Sequence, residues 1–306
     1  NDDMSPRQVF ASFDHRYDLD QAVNLEIFRR WRNLVEPYGS LLLGEVYLRD
    51  NDPNRVSRYV SSGDALHRAF YFAPMHVPWD PQSMWDTFRD ALDATPEDLS
   101  WALSSHDDPR APTRFGGGEE GKQRALAYSV LLFFLPGLPV LYQGDELGLS
   151  SIELKQEELA DPVATRNAIE SDGRDGARTP MPWGGGSEFG FTEGVPWIPI
   201  GNRTYEDTVE YQQTTRGSWL MQYRKLLSIR KENLKLDTPL RWITARNNDV
   251  ISFSRGNLIS ALNVGVSEQT ISLPQGDWNL VFYVGEVSLN DMEVTFGENS
   301  AAVLVS

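Results

Sequence analysis

Leu41-Leu42-Leu43-Gly44-Glu45-Val46-Tyr47 is a short apolar run that ends around a carboxylate. Directly before it, Val23, Ile27, Phe28, Trp31, Leu34 and Val35 recur mostly at steps of three and four, and Pro37 and Gly39 close the pattern. That spacing predicts an amphipathic helix between Asp20 and Gly39. The run after it predicts a strand buried on both faces. A helix feeding a fully buried strand points to an α/β fold with a parallel sheet.

The same unit recurs further along the chain. His67 to Phe72 reads as a second strand, and Met84, Trp85, Phe88 and Leu92 predict a helix over Pro81 to Ala94. Leu99 to Leu103 reads as a buried strand running into Ser104-Ser105-His106-Asp107. Glu119 to Leu135 is a predicted helix, and Pro139 to Tyr142 a strand running into Gln143-Gly144-Asp145-Glu146. Three strands thus end in polar or carboxylate residues, which is where a parallel α/β barrel places its active site.

From Ser150 to Tyr211 turn signals take over, among them Asp172-Gly173, Asp175-Gly176 and Gly184-Gly185-Gly186. A loop of that length implies a functional excursion with short elements of its own. A last helix is predicted over Gly217 to Glu232. After Pro239 the pattern turns to short and alternating apolar runs such as Val250-Ile251-Ser252-Phe253 and Leu258-Ile259-Ser260-Ala261-Leu262. These predict a small antiparallel β domain.

The 306 residues hold 28 Lys and Arg against 44 Asp and Glu, a formal charge of −16. A binder of nucleic acid or of an anionic membrane needs the opposite balance, so neither is expected as a partner. With 40% hydrophobic residues, 9 Trp, 11 Tyr and 14 Phe, the chain reads as globular. There is no cysteine, which excludes disulfides and thiolate chemistry. That composition fits a reducing compartment, and a cytoplasmic location is expected. The apolar stretch Leu126 to Leu135 falls well short of the roughly 18 to 20 residues that cross a bilayer. No metal or cofactor is expected either, since His15, His67, His76 and His106 show no ligand spacing.

Glu45 at a strand end, with apolar walls around it, is expected to have its pKa raised by desolvation, as suits a general acid. Asp107 ends another strand. Two carboxylates at the mouth of one barrel point to glycoside hydrolysis, in which one protonates the leaving oxygen and another handles positive charge on the sugar. Competing chemistries lack their signs: Gly116-Gly117-Gly118 runs into Glu119-Glu120, which would repel a phosphate, and there is no Gly-x-Ser-x-Gly elbow.

Four segments together resemble one family: Leu43-Gly44-Glu45-Val46-Tyr47, Ser105-His106-Asp107-Asp108-Pro109-Arg110, Gly137 to Glu146, and Gly173-Arg174-Asp175-Gly176-Ala177-Arg178-Thr179-Pro180-Met181-Pro182-Trp183. They look like successive signatures of the α-amylase family, glycoside hydrolase family 13. The last, with Gly190-Phe191-Thr192 and Pro196-Trp197, resembles the α-glucosidase and oligo-1,6-glucosidase branch.

The resemblance implies Glu45 as the general acid/base and Asp107 as the carboxylate that stabilises an oxocarbenium-like transition state. It implies that His106 hydrogen-bonds the sugar in the −1 subsite, that Arg174 holds its non-reducing end, and that Arg110 and Tyr71 line the subsite entrance. A structural alternative for Arg174 and Arg178 is loop-pinning ion pairs with Asp172 and Asp175. Ser105 stands where the family usually has Asn, which leaves the carboxylate in place but alters its hydrogen bonding.

A retaining glycosidase also needs a carboxylate nucleophile about 5 Å from the acid/base. In this family it lies in a Gly-x-Arg-x-Asp strand before the Gly-Glu motif, and none of the residues before Glu45 forms one; Asp14, Asp18 and Asp20 sit in a polar stretch like the linker that follows it. The chain also opens on Asn1. The expectation is therefore the C-terminal half of a (β/α)8 TIM barrel, about strands 5 to 8, over residues 1–235 with the long loop 150–211, followed by a small antiparallel β-sandwich over 236–306. Such a chain would depend on the missing N-terminal half of its own barrel and be inactive alone, because half a barrel exposes raw sheet edges. The implied activity is a retaining α-glucosidase acting at the non-reducing end of small oligosaccharide substrates. Alternatives are a transglycosylase or isomerase of the trehalose synthase or sucrose isomerase type, and a non-catalytic sugar-binding or transporter-associated relative.

Overall fold

A computed structural model describes residues 9–10, 12–48, 50–95, 97–165, 173–235, 237–246 and 248–306. Helix and strand alternate through the first part as the sequence patterns predict: α1 (Ala22–Val35), β1 (Leu43–Gly44), α2 (Pro53–Val60), β2 (Arg68–Tyr71), α3 (Pro81–Ala94), β3 (Leu99–Ala102), α4 (Gly118–Phe134) and β4 (Leu138–Val140). The four strands form one parallel sheet in the order β1-β2-β3-β4, with Gly44 opposite Ala69, Phe70 opposite Ser100 and Trp101 opposite Pro139. Parallel pairing puts every strand's C-terminal end on the same side, so Glu45, the Ser104–Asp107 turn and the Gln143–Glu146 turn leave the sheet together.

Local chemistry fixes these elements. Asp80 caps α3, its Oδ1 accepting from the Ser83 N–H at 3.0 Å, and Pro81 takes the first helical position, where no donor is needed. Asp52 and Pro53 repeat the device at α2, a helix the apolar spacing alone does not predict. Along α4, Gly121 and Ala125 to Phe134 are buried on every side, as an all-round apolar helix must be. Trp85 and Phe88 of α3 are fully buried, each contributing about 1.5 to 3 kcal/mol by area. Gly137, at φ 93°, takes the turn into β4; a Cβ there would collide with the Leu99 carbonyl.

The burial of the first strand differs from expectation. β1 is only two residues long, and Leu41 is 75% exposed instead of buried on both faces. Its pairing explains this: β1 is the edge of the sheet, with β2 on one side only. α1 likewise buries none of its residues, and Val23, Ile27, Trp31 and Leu34 of its apolar stripe are exposed. At the opposite edge, Leu138 of β4 is 42% exposed.

After α5 (Trp219–Asn233) the strands are β5 (Leu240–Trp242), β6 (Val250–Arg255), β7 (Leu258–Asn263), β8 (Gln269–Ser272), β9 (Asn279–Val284), β10 (Val287–Asn290), β11 (Glu293–Phe296) and β12 (Ala301–Val305). They pair antiparallel in two sheets, β5-β6-β7-β12-β9 and β10-β11-β8. Val250, Ile259, Ala261, Ala302 and Leu304 of the larger sheet pack on Ile271, Val294 and Phe296 of the smaller. The other face of the larger sheet lies on α4, where the Ser260 hydroxyl donates to the Val130 carbonyl at 3.0 Å. Arg255 donates to the Phe134 and Leu135 carbonyls at 3.2 and 3.1 Å. Among the described residues no helix is long and apolar enough to cross a membrane.

Candidate active site

The turn after β3 is pinned by its own serines. Ser104 Oγ accepts from the Ala111 N–H at 3.1 Å, and Ser105 Oγ accepts from the Asp107 N–H at 3.1 Å while donating to Asp108 Oδ2 at 3.5 Å. Ser105 therefore joins the two neighbouring aspartates. Asp108 also meets His76 Nε2 at 3.3 Å.

Asp107 is the centre of a charged cluster. Its Oδ1 accepts from Arg174 Nη1 at 2.9 Å and from Arg178 Nη2 at 2.8 Å, with His106 Nε2 3.5 Å away. Arg178 Nε donates to the His106 carbonyl at 2.8 Å, fixing the turn itself. Arg174 is shared: its Nε and Nη2 donate to Asp161 Oδ2 and Oδ1 at 2.8 and 3.0 Å, the fork-on-carboxylate geometry that makes arginine pairs strong. The Asp161 side chain is wholly buried, and the Arg174 hydrogen bonds hold its pKa far below the usual carboxylate range; the same bonds raise that of Arg174. The described ion pairs of Arg174 and Arg178 run to Asp107 and Asp161, not to Asp175 as the loop-pinning alternative has it. Asp172 lies outside the described residues. Asp175 is buried and uses its Oδ2 to accept from the Ala160 and Asp161 N–H groups, each at 2.7 Å.

Three expected site residues stand differently. Glu45 follows β1 at the same end of the sheet, roughly 10 Å across from β3 at the usual strand spacing. It is exposed, so the apolar walls expected around it are not supplied by the described residues. Arg110, expected at a subsite entrance, is 1% exposed. Its guanidinium donates to the Gln143 and Ala177 carbonyls at 2.6 and 3.0 Å and lies over the Tyr142 ring, so it ties the β3 and β4 turns to the long loop. Tyr71 is 3% exposed, packs edge-on to Trp101 at 5.9 Å between centroids, and has its pKa raised by burial. Neither offers open surface to a sugar.

Asp161 is the participant that sequence spacing misses: it precedes Arg174 by 174 − 161 = 13 residues and stands in none of the quoted segments. After β4, burial pushes the Asp145 carboxyl up to about 6 despite its bond from the Tyr142 N–H at 3.1 Å. Among the described residues no group of three or more His, Asp or Glu is arranged to hold a metal ion. Chemically the cluster is a carboxylate gripped and aimed by two guanidinium groups, with an exposed second carboxylate, Glu45, at the same end of the sheet.

Known proteins share this arrangement of segments. The sequence model of the α-amylase catalytic domain matches residues 2–238. A probable α-glucosidase of Rhizobium meliloti (strain 1021) is 32% identical over 266 residues, which are 85% of this chain and 46% of that protein. An oligo-1,6-glucosidase of Heyndrickxia coagulans is 29% identical over 89% of this chain and 56% of its own length. The chain spans about half the length of the curated relatives it matches. Among solved structures, an α-glucosyl transfer enzyme, XgtA, superposes with a TM-score of 0.81 at 30% identity, covering 94% of this chain and 55% of that one. The trehalulose synthase MutB from Pseudomonas mesoacidophila MX-45 gives 0.78 at 20% identity over 92% of this chain and 58% of its own, a likeness of fold. The parallel sheet is thus part of a (β/α)8 barrel, the two antiparallel sheets form the β domain after it, and the chain belongs to the α-amylase family of glycoside hydrolases.

Proposed function

We propose that this chain carries the acid/base side of a retaining α-glucosidase site that releases glucose from the non-reducing end of short α-glucosides. The observation that carries the reading is Asp107 Oδ1 held by both Arg174 and Arg178 at the end of the sheet where Glu45 emerges. In this reading Glu45 gives its proton to the glycosidic oxygen as the C1–O bond breaks. It then takes a proton from the water that hydrolyses the glycosyl–enzyme ester. Asp107 opposes the positive charge that develops on the sugar ring, while His106 and Arg174 hold the sugar by its hydroxyls.

The nucleophilic carboxylate that attacks C1 belongs, on this reading, to residues upstream of Asn1, together with the first barrel strands and helices. Those elements would pair the free edges of β1 and β4, cover the apolar stripe of α1 and supply the dry walls that Glu45 lacks here. The division at residue 235 and a cytoplasmic location are part of the same proposal.

The test is Glu45→Gln in the full-length polypeptide, which removes the titrating group with little change of shape. Turnover of maltose should fall by about 10²- to 10⁴-fold, the usual worth of general acid–base catalysis; near-normal turnover would refute the assignment.

A second reading, glucosyl transfer, rests on the 30% identical α-glucosyl transfer enzyme. It uses the same residues and differs in what intercepts the glycosyl–enzyme. Maltose as sole substrate yields only glucose by hydrolysis, whereas transfer yields new di- and trisaccharides.

A further inference from the structure

Asp161 lies in the excursion after β4, and its environment is tightly determined. Its carboxylate takes two nitrogens of the Arg174 side chain, at 2.8 and 3.0 Å, and the backbone N–H groups of Arg174 and Val163 at 2.9 and 3.1 Å. The segment that carries it is held in turn by Asp175, whose Oδ2 accepts from both the Ala160 and the Asp161 N–H at 2.7 Å. Gly173, at φ 62°, backs directly onto it: a Cβ there would stand 2.8 Å from Ala164 Cβ, 3.2 Å from Asp161 Cβ and 3.3 Å from Asp161 Oδ2. The carboxylate cannot rotate without displacing one of these segments. With Nε and Nη2 of Arg174 fixed, Nη1 is left directed at Asp107 Oδ1.

We propose that Asp161 is a positioning residue: it locks the Arg174 guanidinium in the orientation in which Arg174 meets Asp107 and the non-reducing-end glucose. The identity of the sugar rests on the α-glucosidase reading above. A pair kept only for stability does not account for this geometry, because a buried ion pair is weak support for a fold and a well-packed apolar pair serves as well. What the ion pair adds is direction. An arginine free on its stem must lose its rotamer freedom when the sugar binds, whereas one already fixed does not, and that preorganisation appears as affinity.

Asp161→Asn in the full-length polypeptide keeps the size of the side chain and removes its charge. KM for maltose should rise at least 10-fold with kcat changed less. The affinity for glucose, measured by calorimetry at a temperature where parent and variant are both fully folded, should fall by a similar factor. 4-Nitrophenyl α-glucoside shares the non-reducing glucose and not the leaving group, so its KM should rise equally. Because Asp161 acts through Arg174, adding Asp161→Asn to Arg174→Lys should cost little beyond Arg174→Lys alone.

A lowered Tm with unchanged KM and glucose affinity would reduce Asp161 to a structural residue and overturn the proposal, as would effects of the two substitutions that multiply. Should Asp161→Asn not fold, Gly173→Ala displaces the same carboxylate and is read in the same way. Should the parent polypeptide fail to hydrolyse maltose while still binding glucose, the glucosidase reading falls and the affinity comparison still decides the role of Asp161. A parent that binds no glucose overturns both.

Discussion

The parallel and the antiparallel regions of this chain treat their apolar residues differently. In the antiparallel region the central strand β7 is buried at all six positions, one face against α4 and the other against the smaller sheet. In the parallel region Leu41 stands 75% exposed at one edge and Leu138 42% exposed at the other, and Val23, Ile27, Trp31 and Leu34 of α1 are exposed as well. A strand edge with unmet N–H and C=O groups beside a large apolar patch is a surface that pairs with something. The antiparallel sheets satisfy themselves; the parallel sheet, which carries Glu45 and Asp107, does not.

The largest effect expected from this contrast is all-or-none. Residues 1–306 expressed alone should self-associate, bind a hydrophobic dye such as ANS and hydrolyse no maltose, and co-expression with an upstream segment supplying the rest of the barrel should remove the dye binding and restore turnover. A monomeric, dye-silent and fully active chain of residues 1–306 would break the contrast.

The next effect is a matched pair of truncations. Leu258 of β7 is 0% exposed, so Leu258→Ala should destabilise by about 2 to 5 kcal/mol in urea unfolding. Leu41→Ala at the sheet edge should stay within about 0.5 kcal/mol in the same chain. If the proposed upstream half of the barrel covers this leucine, the second value should grow towards the first in a polypeptide that carries it. Equal costs at the two sites in residues 1–306 alone would mean that the edge is already packed.

Much of this is legible in the sequence, for reasons that differ by element. The strands at 68–71 and 99–102 and helices α3 and α4 follow from apolar periodicity, because their neighbours on both sides are present in the chain. The strand at Leu41–Tyr47 departs from its pattern in burial. A run such as Leu-Leu-Leu reports what the side chains require, and what meets that requirement is tertiary. Helix α2 carries no long apolar stripe, yet Asp52-Pro53 announces it as cap and first residue. In the site, His106, Asp107 and Arg174 stand in motifs, and the structure places both His106 and Arg174 against Asp107. Arg110 closes a motif and Tyr71 stands in a strand outside the motifs, and both are buried, since a motif marks a segment and not the direction a side chain takes. Asp161 is invisible to sequence patterns, because it stands outside the motifs and its contact with Arg174 is tertiary, with no period or spacing to read.

The smallest expected effect concerns pH and again separates the regions. No Asp or Glu of the antiparallel strands is buried among the described residues, whereas the parallel region with its long loop buries Asp108, Asp145, Asp161 and Asp175, and of these Asp145 and Asp161 have shifted pKa values. The two carboxylates bear on stability with opposite signs. Burial raises the Asp145 pKa from 3.8 to about 6, so the folded chain binds that proton more tightly than the unfolded one. Its favourable contribution is complete below about pH 4 and is lost as pH rises through about 6. A rise of that size corresponds to about 3 kcal/mol, an upper figure for a site that can relax. Asp145→Asn, neutral throughout, should therefore stabilise the chain at pH 8 by up to about 3 kcal/mol and leave it nearly unchanged at pH 4. For Asp161 the Arg174 hydrogen bonds lower the pKa, so its contribution is present above the unfolded value and disappears as pH falls through the folded one. Asp161→Asn should destabilise at pH 8 and converge on the parent in acid. Urea unfolding of both variants at the two pH values checks the signs: stabilisation by Asp145→Asn at pH 4 as large as at pH 8 would show that Asp145 is strained by packing rather than by buried charge.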